Sequence, residues 1–147
     1  MGTPAWVKPE KTATQNIIKK TTGTTTANGY ELSLSSAGKV FMRLNGNAAY
    51  RIDSLAPYPI DGNTWMHIAA TYDGTAVRVY ADGVLANTLA RSLSTFATDT
   101  AGNPLPIRVQ RQNDADGGPS DTGVGQSTVA RVRVDTNALD GWTIKAR

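Results

Sequence analysis

Cysteine is absent from the chain, histidine occurs once and glutamate twice. Without cysteine there can be no disulfide, no thiol nucleophile and no thiolate metal site. The single histidine, His67, has no local partner that could make it a base, and reads as a structural strand residue. Glu10 and Glu31 are the only glutamates. Cleavage of a glycosidic bond needs two carboxyl groups flanking it, and no strand pattern offers such a pair. No glycine-rich phosphate loop occurs either. These shortages point away from catalysis, and no catalytic residue is assigned. No apolar run approaches the ~18 residues of a membrane span, so no membrane insertion is expected. No segment sustains a helical period. Met1-Gly2-Thr3-Pro4 leads straight into a strand, so no signal peptide is legible.

What the chain does have is alternation. From Thr64 to Leu89, Met66, Ile68, Ala70 and Tyr72 alternate with Trp65, His67, Ala69 and Thr71, and Val77 and Val79 with Arg78 and Tyr80. Asp73-Gly74 and Asp82-Gly83 punctuate this run, a strong hairpin signal because both residue types tolerate the positive φ of a tight turn. Shorter runs flank it. Strands are expected at Ala5 to Lys8, Gln15 to Lys20, Tyr30 to Ser35, Lys39 to Leu44, Ala48 to Asp53, Leu105 to Gln110, Ser127 to Val134 and Trp142 to Ala146. Thr136 to Leu139 is expected to form one helical turn. Polar or turn-rich loops are expected at Thr21 to Gly29, Ala90 to Pro106 and Gln112 to Gly125. The expected fold is all-β: one domain over residues 1–147, a two-layer antiparallel β-sandwich with the Val/Ile/Leu phase between the layers and Arg and Thr turned to water.

Trp65 to Gly74, W-M-H-I-A-A-T-Y-D-G, followed by V-R-V-Y-A-D-G-V-L, resembles the core signature of the concanavalin A-like lectin/glucanase superfamily, in its laminin-G-like jelly-roll branch. Ala5-Trp6-Val7-Lys8-Pro9 resembles an earlier strand of that family, and the likeness spans Ala5 to Asp135. It implies a jelly roll, with Trp6 and Trp65 in the core. It also implies a binding module for carbohydrate or for a surface or extracellular protein, and a secreted or cell-surface setting. Glucan-cleaving relatives carry an E-x-D-x-E strand, which this chain lacks. The family pattern has a strand before A-W-V-K-P that is missing here. Trp142-Thr143-Ile144-Lys145-Ala146 resembles it, so the tail is expected to fill the vacant edge, in the same chain or in a neighbour. The alternative for the tail is a coincidental likeness. The alternative to a binding module is a structural or oligomerisation domain that packs as a homo-oligomer through that edge without a small ligand. A glycan-cleaving enzyme on the same fold is the third reading.

Two groups of residues are candidates for binding. Of the fifteen cationic residues nine are arginine, and Arg43, Arg51, Arg78, Arg108, Arg131 and Arg133 all fall in the polar phase of a strand. If several share one sheet face they form a basic groove, and a guanidinium fork suits sulfate, carboxylate or phosphate. Phe41 and Tyr80 share those phases and could stack on sugar rings. The alternative is plain solvation, with Asp53, Asp82 and Asp135 as partners. The sequence pI near 9.3 comes with no nucleic-acid-binding motif, so no nucleic-acid partner is expected. Asn113, Asp114 and Asp116, with Asp121, begin like a calcium loop, since oxygens at alternate positions can converge on one Ca²⁺. The same residues also suit Asx-turns in a surface loop. Asp99 with Asn103 is a weaker metal pair.

Overall fold

The computed structural model describes residues 2–20, 29–93, 107–109, 127–134 and 144–145, with side chains described for 2–20 and 29–93. Along these residues the alternation becomes strands β1 (Gly2–Pro9), β2 (Gln15–Lys20), β3 (Tyr30–Leu34), β4 (Val40–Leu44), β5 (Arg51–Asp53), β6 (Met66–Tyr72), β7 (Ala76–Ala81), β8 (Val84–Ala90), β9 (Ile107–Val109), β10 (Ser127–Val134) and β11 (Ile144–Lys145). They form two sheets, one ordered β11-β10-β1-β6-β7-β8 and the other β5-β4-β3-β2-β9. Every pairing is antiparallel. This is the expected β-sandwich. The expected residues 105–106 and 110 of β9, the helical turn at 136–139 and most of the three long loops lie outside the described residues.

The pleat decides what is buried. A strand turns successive side chains to opposite faces, and in β6 Met66, Ile68, Ala70 and Tyr72 are buried while His67, Ala69 and Thr71 are not. Ala5 lies opposite Ile68 and Val7 opposite Met66, so β1 contributes to the same inner layer. Val77 and Val79 of β7 complete it on this side. From the other sheet come Ile17, Ile18, Leu32, Leu34, Val40, Met42, Leu44 and Ile52. Tyr58 seals one end of the core. Its hydroxyl donates to Ser35 O at 3.0 Å, and its amide to Gly38 O at 2.9 Å.

The turns follow their residue chemistry. Asp82 and Gly83 hold φ of 49° and 82°, and join Ala81 directly to Val84 in a two-residue hairpin. The Asp73 carboxylate accepts from the amides of Thr75 and Ala76 at 2.9 and 2.8 Å. One expected strand is only half right. Ala48 to Tyr50 forms a 3-10 turn, capped by Asn47 Oδ1 accepting from Ala49 N at 2.9 Å, and β5 begins only at Arg51. The positive φ of Asn45 and Gly46 (49° and 63°) swings the chain out before it rejoins β4.

The tail adds to the sheet beside β10, with Val134 opposite Ile144, whereas β1 is interior and flanked by β6 and β10. The vacant edge expected beside β1 is thus already occupied. At the other margin β8 carries no charged residue or proline, the usual guards of an exposed edge. There Leu55 N donates to Ala86 O at 3.4 Å, and Asn87 Nδ2 reaches Asp53 O at 2.8 Å.

This packing has measurable consequences. Leu32 is fully buried, so Leu32→Ala is expected to cost about 2–5 kcal/mol in urea denaturation. Half-exposed Leu85 changed to Ala should stay within ~0.5 kcal/mol of wild type. In the loop before β6, Asp61 accepts from the amides of Asn63 and Thr64 and from the Thr64 hydroxyl. The Thr64 hydroxyl above all, then those amides, pull its pKa from 3.8 to about 2. A lowered carboxylate stabilises the fold above its unfolded value and loses that effect as pH falls through the folded one. The melting-temperature gap between wild type and Asp61→Ala should therefore be full at pH 5 and close toward pH 2.

Candidate functional site

Antiparallel register draws one row of side-chain positions straight across the five-stranded sheet. Arg108 lies opposite Lys19, Lys19 opposite Glu31, Glu31 opposite Arg43 and Arg43 opposite Arg51. The row therefore holds four cations and one carboxylate. The next row places Ser33 opposite Phe41 and Phe41 opposite Asp53.

This face is closed more tightly than alternation alone predicts. Glu31, Ser33 and Phe41, in the phase expected to meet water, are 1%, 0% and 2% exposed. Long cationic side chains lie down over the face. The Arg51 guanidinium sits 3.9 Å from the centre of the Phe41 ring, and that of Arg43 6.0 Å from it. Phe41 is therefore covered, and cannot offer its ring to a sugar.

Glu31 is ion-paired with Arg43, and with Lys19 at 4.0 Å. Burial pushes its carboxyl above the ordinary 4.5, while Arg43 and Lys19 pull it partly back. Arg51 is held bidentately by Asp53, Nε to Oδ2 at 2.8 Å and Nη2 to Oδ1 at 2.6 Å. That bond, more than any other contact, raises the Arg51 pKa. Two like charges directly opposite on adjacent strands destabilise a sheet. Arg43 and Arg51 stand in that relation, each steadied by its own carboxylate and each still partly open to solvent, at 28% and 32% of the side chain. The Nε of Arg43 is buried and has no hydrogen-bond partner among the described residues.

The candidate arginines thus divide between the sheets. Arg43, Arg51 and Arg108 belong to this row. Arg78 and Tyr80 are on β7 of the other sheet, where Arg78 is ion-paired with Asp73. Arg131 and Arg133 are on β10, opposite Trp6 and Lys145 respectively. Sequence reasoning misses Lys19 as a site residue. Its signal is nonetheless present, since it sits in the same polar phase as the arginines, one strand from Glu31.

Trp6 and Trp65 are not in the core. They are 43% and 41% exposed. Small Ala5 and Val7 take the inner phase of β1, and Met66 takes that of β6, so the neighbouring indoles are turned outward. The candidate metal residues Asn113, Asp114, Asp116 and Asp121, and the pair Asp99 and Asn103, lie outside the described residues. Among the described residues no cluster of three or more His, Asp or Glu side chains could hold a metal.

Comparison with known proteins agrees with this architecture. The family model described as the concanavalin A-like lectin/glucanases superfamily, laminin G type, matches residues 3–140. Among solved structures, a candidate carbohydrate-binding protein from Bacteroides ovatus superposes with a TM-score of 0.62 at 16% identity, over 90% of this chain and 36% of that one. The native heptameric SAP-like pentraxin of Limulus polyphemus gives 0.60 at 14% identity, over 90% of this chain and 61% of that one. The CBM40 module of the Ruminococcus gnavus IT-sialidase, bound to α2,3-sialyllactose, gives 0.58 at 21% identity, over 86% and 71%. The chain thus spans less than two thirds of the first two of these proteins. No curated protein sequence matches it.

The buried carboxylate yields a prediction. Glu31→Gln removes the only negative charge between Lys19 and Arg43. Breaking a buried pair from one side costs about 3–5 kcal/mol, and chemical denaturation should report a loss of that order.

Proposed function

The chain belongs to the concanavalin A-like lectin/glucanases superfamily, and on that premise we propose that it is a non-catalytic carbohydrate-binding module whose ligand is an acidic glycan. The observation that carries this reading is the row Arg108, Lys19, Glu31, Arg43 and Arg51 across the five-stranded sheet. Four cations against one carboxylate leave the row positive, and Asp53 offsets only part of that excess. Arg43 and Arg51 are clamped before any ligand arrives, so little rotamer freedom is lost on binding. Each guanidinium keeps N–H groups beyond those its carboxylate uses. Planar forks of this kind match the carboxylate of a sugar acid or a sulfate ester. The partly exposed pair at Arg43 and Arg51 is where such a group would sit, with the rest of the glycan running along the row. The carbohydrate-binding name of one similar structure and the sialyllactose bound to another support a carbohydrate ligand in general.

A glycan array read with and without calcium tests the proposal, and the calcium arm isolates any contribution of the acidic stretch at 113–121. Sialylated, uronic-acid or sulfated glycans should bind, and more weakly as salt rises. Arg51→Ala and Arg43→Lys should each lower affinity about tenfold, which is roughly 1.4 kcal/mol. Lysine in place of Arg43 keeps the charge and loses only the fork. Silence across the acidic glycans, or full affinity in both variants, would overturn the reading.

A further inference from the structure

The outer face of the six-stranded sheet holds a different kind of surface. Trp6 stands opposite His67 and Val7 opposite Met66, so Lys8 and Trp65 follow one step further along the same two strands. Trp6, Lys8, Trp65 and His67 form a two-by-two patch on the outward phase. The Trp6 and His67 rings are 5.3 Å apart at 60°, and Lys8 Nζ lies 5.8 Å from the Trp65 ring. Tyr80, opposite Ala69, falls on the same face one pleat away from His67.

Two features of the patch point to a ligand. Indoles are among the side chains that gain most from burial, yet two of them stand at diagonal corners of this patch, each more than two fifths exposed. Their polar atoms are also unspent. Among the described residues, neither indole N–H, nor the His67 ring, nor the Lys8 ammonium has a hydrogen-bond partner. Backbone contacts fix the platform from below, since His67 N donates to Asp82 Oδ1 at 2.8 Å and Asp82 N to His67 O at 2.7 Å.

We propose that this patch is a second glycan site, which takes an uncharged pyranose by its C–H face. A pyranose is apolar on the face of its ring and bears hydroxyls around the rim. Trp6 and Trp65 offer surface to the first, and the indole N–H groups, His67 and Lys8 offer hydrogen bonds to the second. Three of the four side chains carry no fixed charge, and Arg131 occupies the position opposite Trp6 on β10 at the margin of the patch. A protein partner or a second copy suits the patch less well. The two indoles together expose on the order of 200 Å², whereas a stable interface takes about 800 Å² from each partner.

Native gel electrophoresis through soluble neutral polysaccharides tests this, with a β-1,3-glucan, a β-1,4-glucan and a galactomannan as probes. At least one should retard the wild type. Trp65→Ala should weaken that retardation about tenfold or more, Trp65→Tyr should restore most of it, and Leu55→Ala, exposed and outside the patch, should leave it unchanged. The tyrosine variant separates loss of a stacking surface from loss of fold. No retardation of the wild type by any neutral polymer would overturn the proposal, as would wild-type retardation of both Trp6→Ala and Trp65→Ala. So would a wild-type dimer that Trp65→Ala dissociates in sedimentation. Acidic-glycan binding is read with other ligands, so the two sites stand or fall separately.

Discussion

The pleat is the constraint from which the rest of this molecule follows. Once Ala5, Val7, Met66, Ile68, Val77 and Val79 are committed to the interior, their neighbours along each strand have no choice of side. Trp6, His67, Trp65 and Tyr80 are carried to one outer surface by this rule. On the opposite sheet, the packing of Ile18, Leu32, Met42 and Ile52 in the core sends Lys19, Glu31, Arg43 and Arg51 to the other. Both proposed binding faces are therefore written in the half of the alternation that the core does not use.

Glu31 shows what that arrangement costs. A carboxylate 1% exposed is unfavourable unless it is paired, and its partners Lys19 and Arg43 come from the strands on either side. The same guanidinium that neutralises Glu31 stands next to Arg51, which is tied in turn to Asp53. The network therefore fixes the positions of two neighbouring positive charges while it satisfies a buried negative one. A hydrophobic replacement could supply stability at this place. It could not supply two oriented guanidinium groups facing solvent.

Much of the fold is legible in the sequence, and the misses have physical causes. Period-two alternation and the Asp-Gly turns place β6 and β7 within a residue of their observed limits, because both signals are local. Ala48 to Asp53 misleads, because the Asn47 side chain caps a 3-10 turn there and such a cap competes with a strand without changing the apolar pattern. The family likeness puts Trp6 and Trp65 in the interior, although their own phase, opposite to that of Ala5, Val7 and Met66, already places them outside. The burial of Phe41 and Glu31 cannot be read at all, since it depends on side chains from neighbouring strands lying over the face. Which arginines share a sheet is equally hidden: Arg43 and Arg78 have the same local pattern, and only the order of the strands separates them.

That order also dictates when the molecule can be assembled. β1 lies in the interior of its sheet, with Ala5 paired on one side to Ile68 and on the other to Val132. As the polypeptide leaves the ribosome β1 can dock against β6 once that strand has emerged, but its far edge stays open until β10, more than a hundred residues after β1, has been made. Long-range closure of this sort slows folding and leaves backbone donors and acceptors exposed in the meantime. Nascent chains of this protein should therefore depend on being kept apart from one another during synthesis, a demand set by the path of the chain and not by how stable the finished sandwich is.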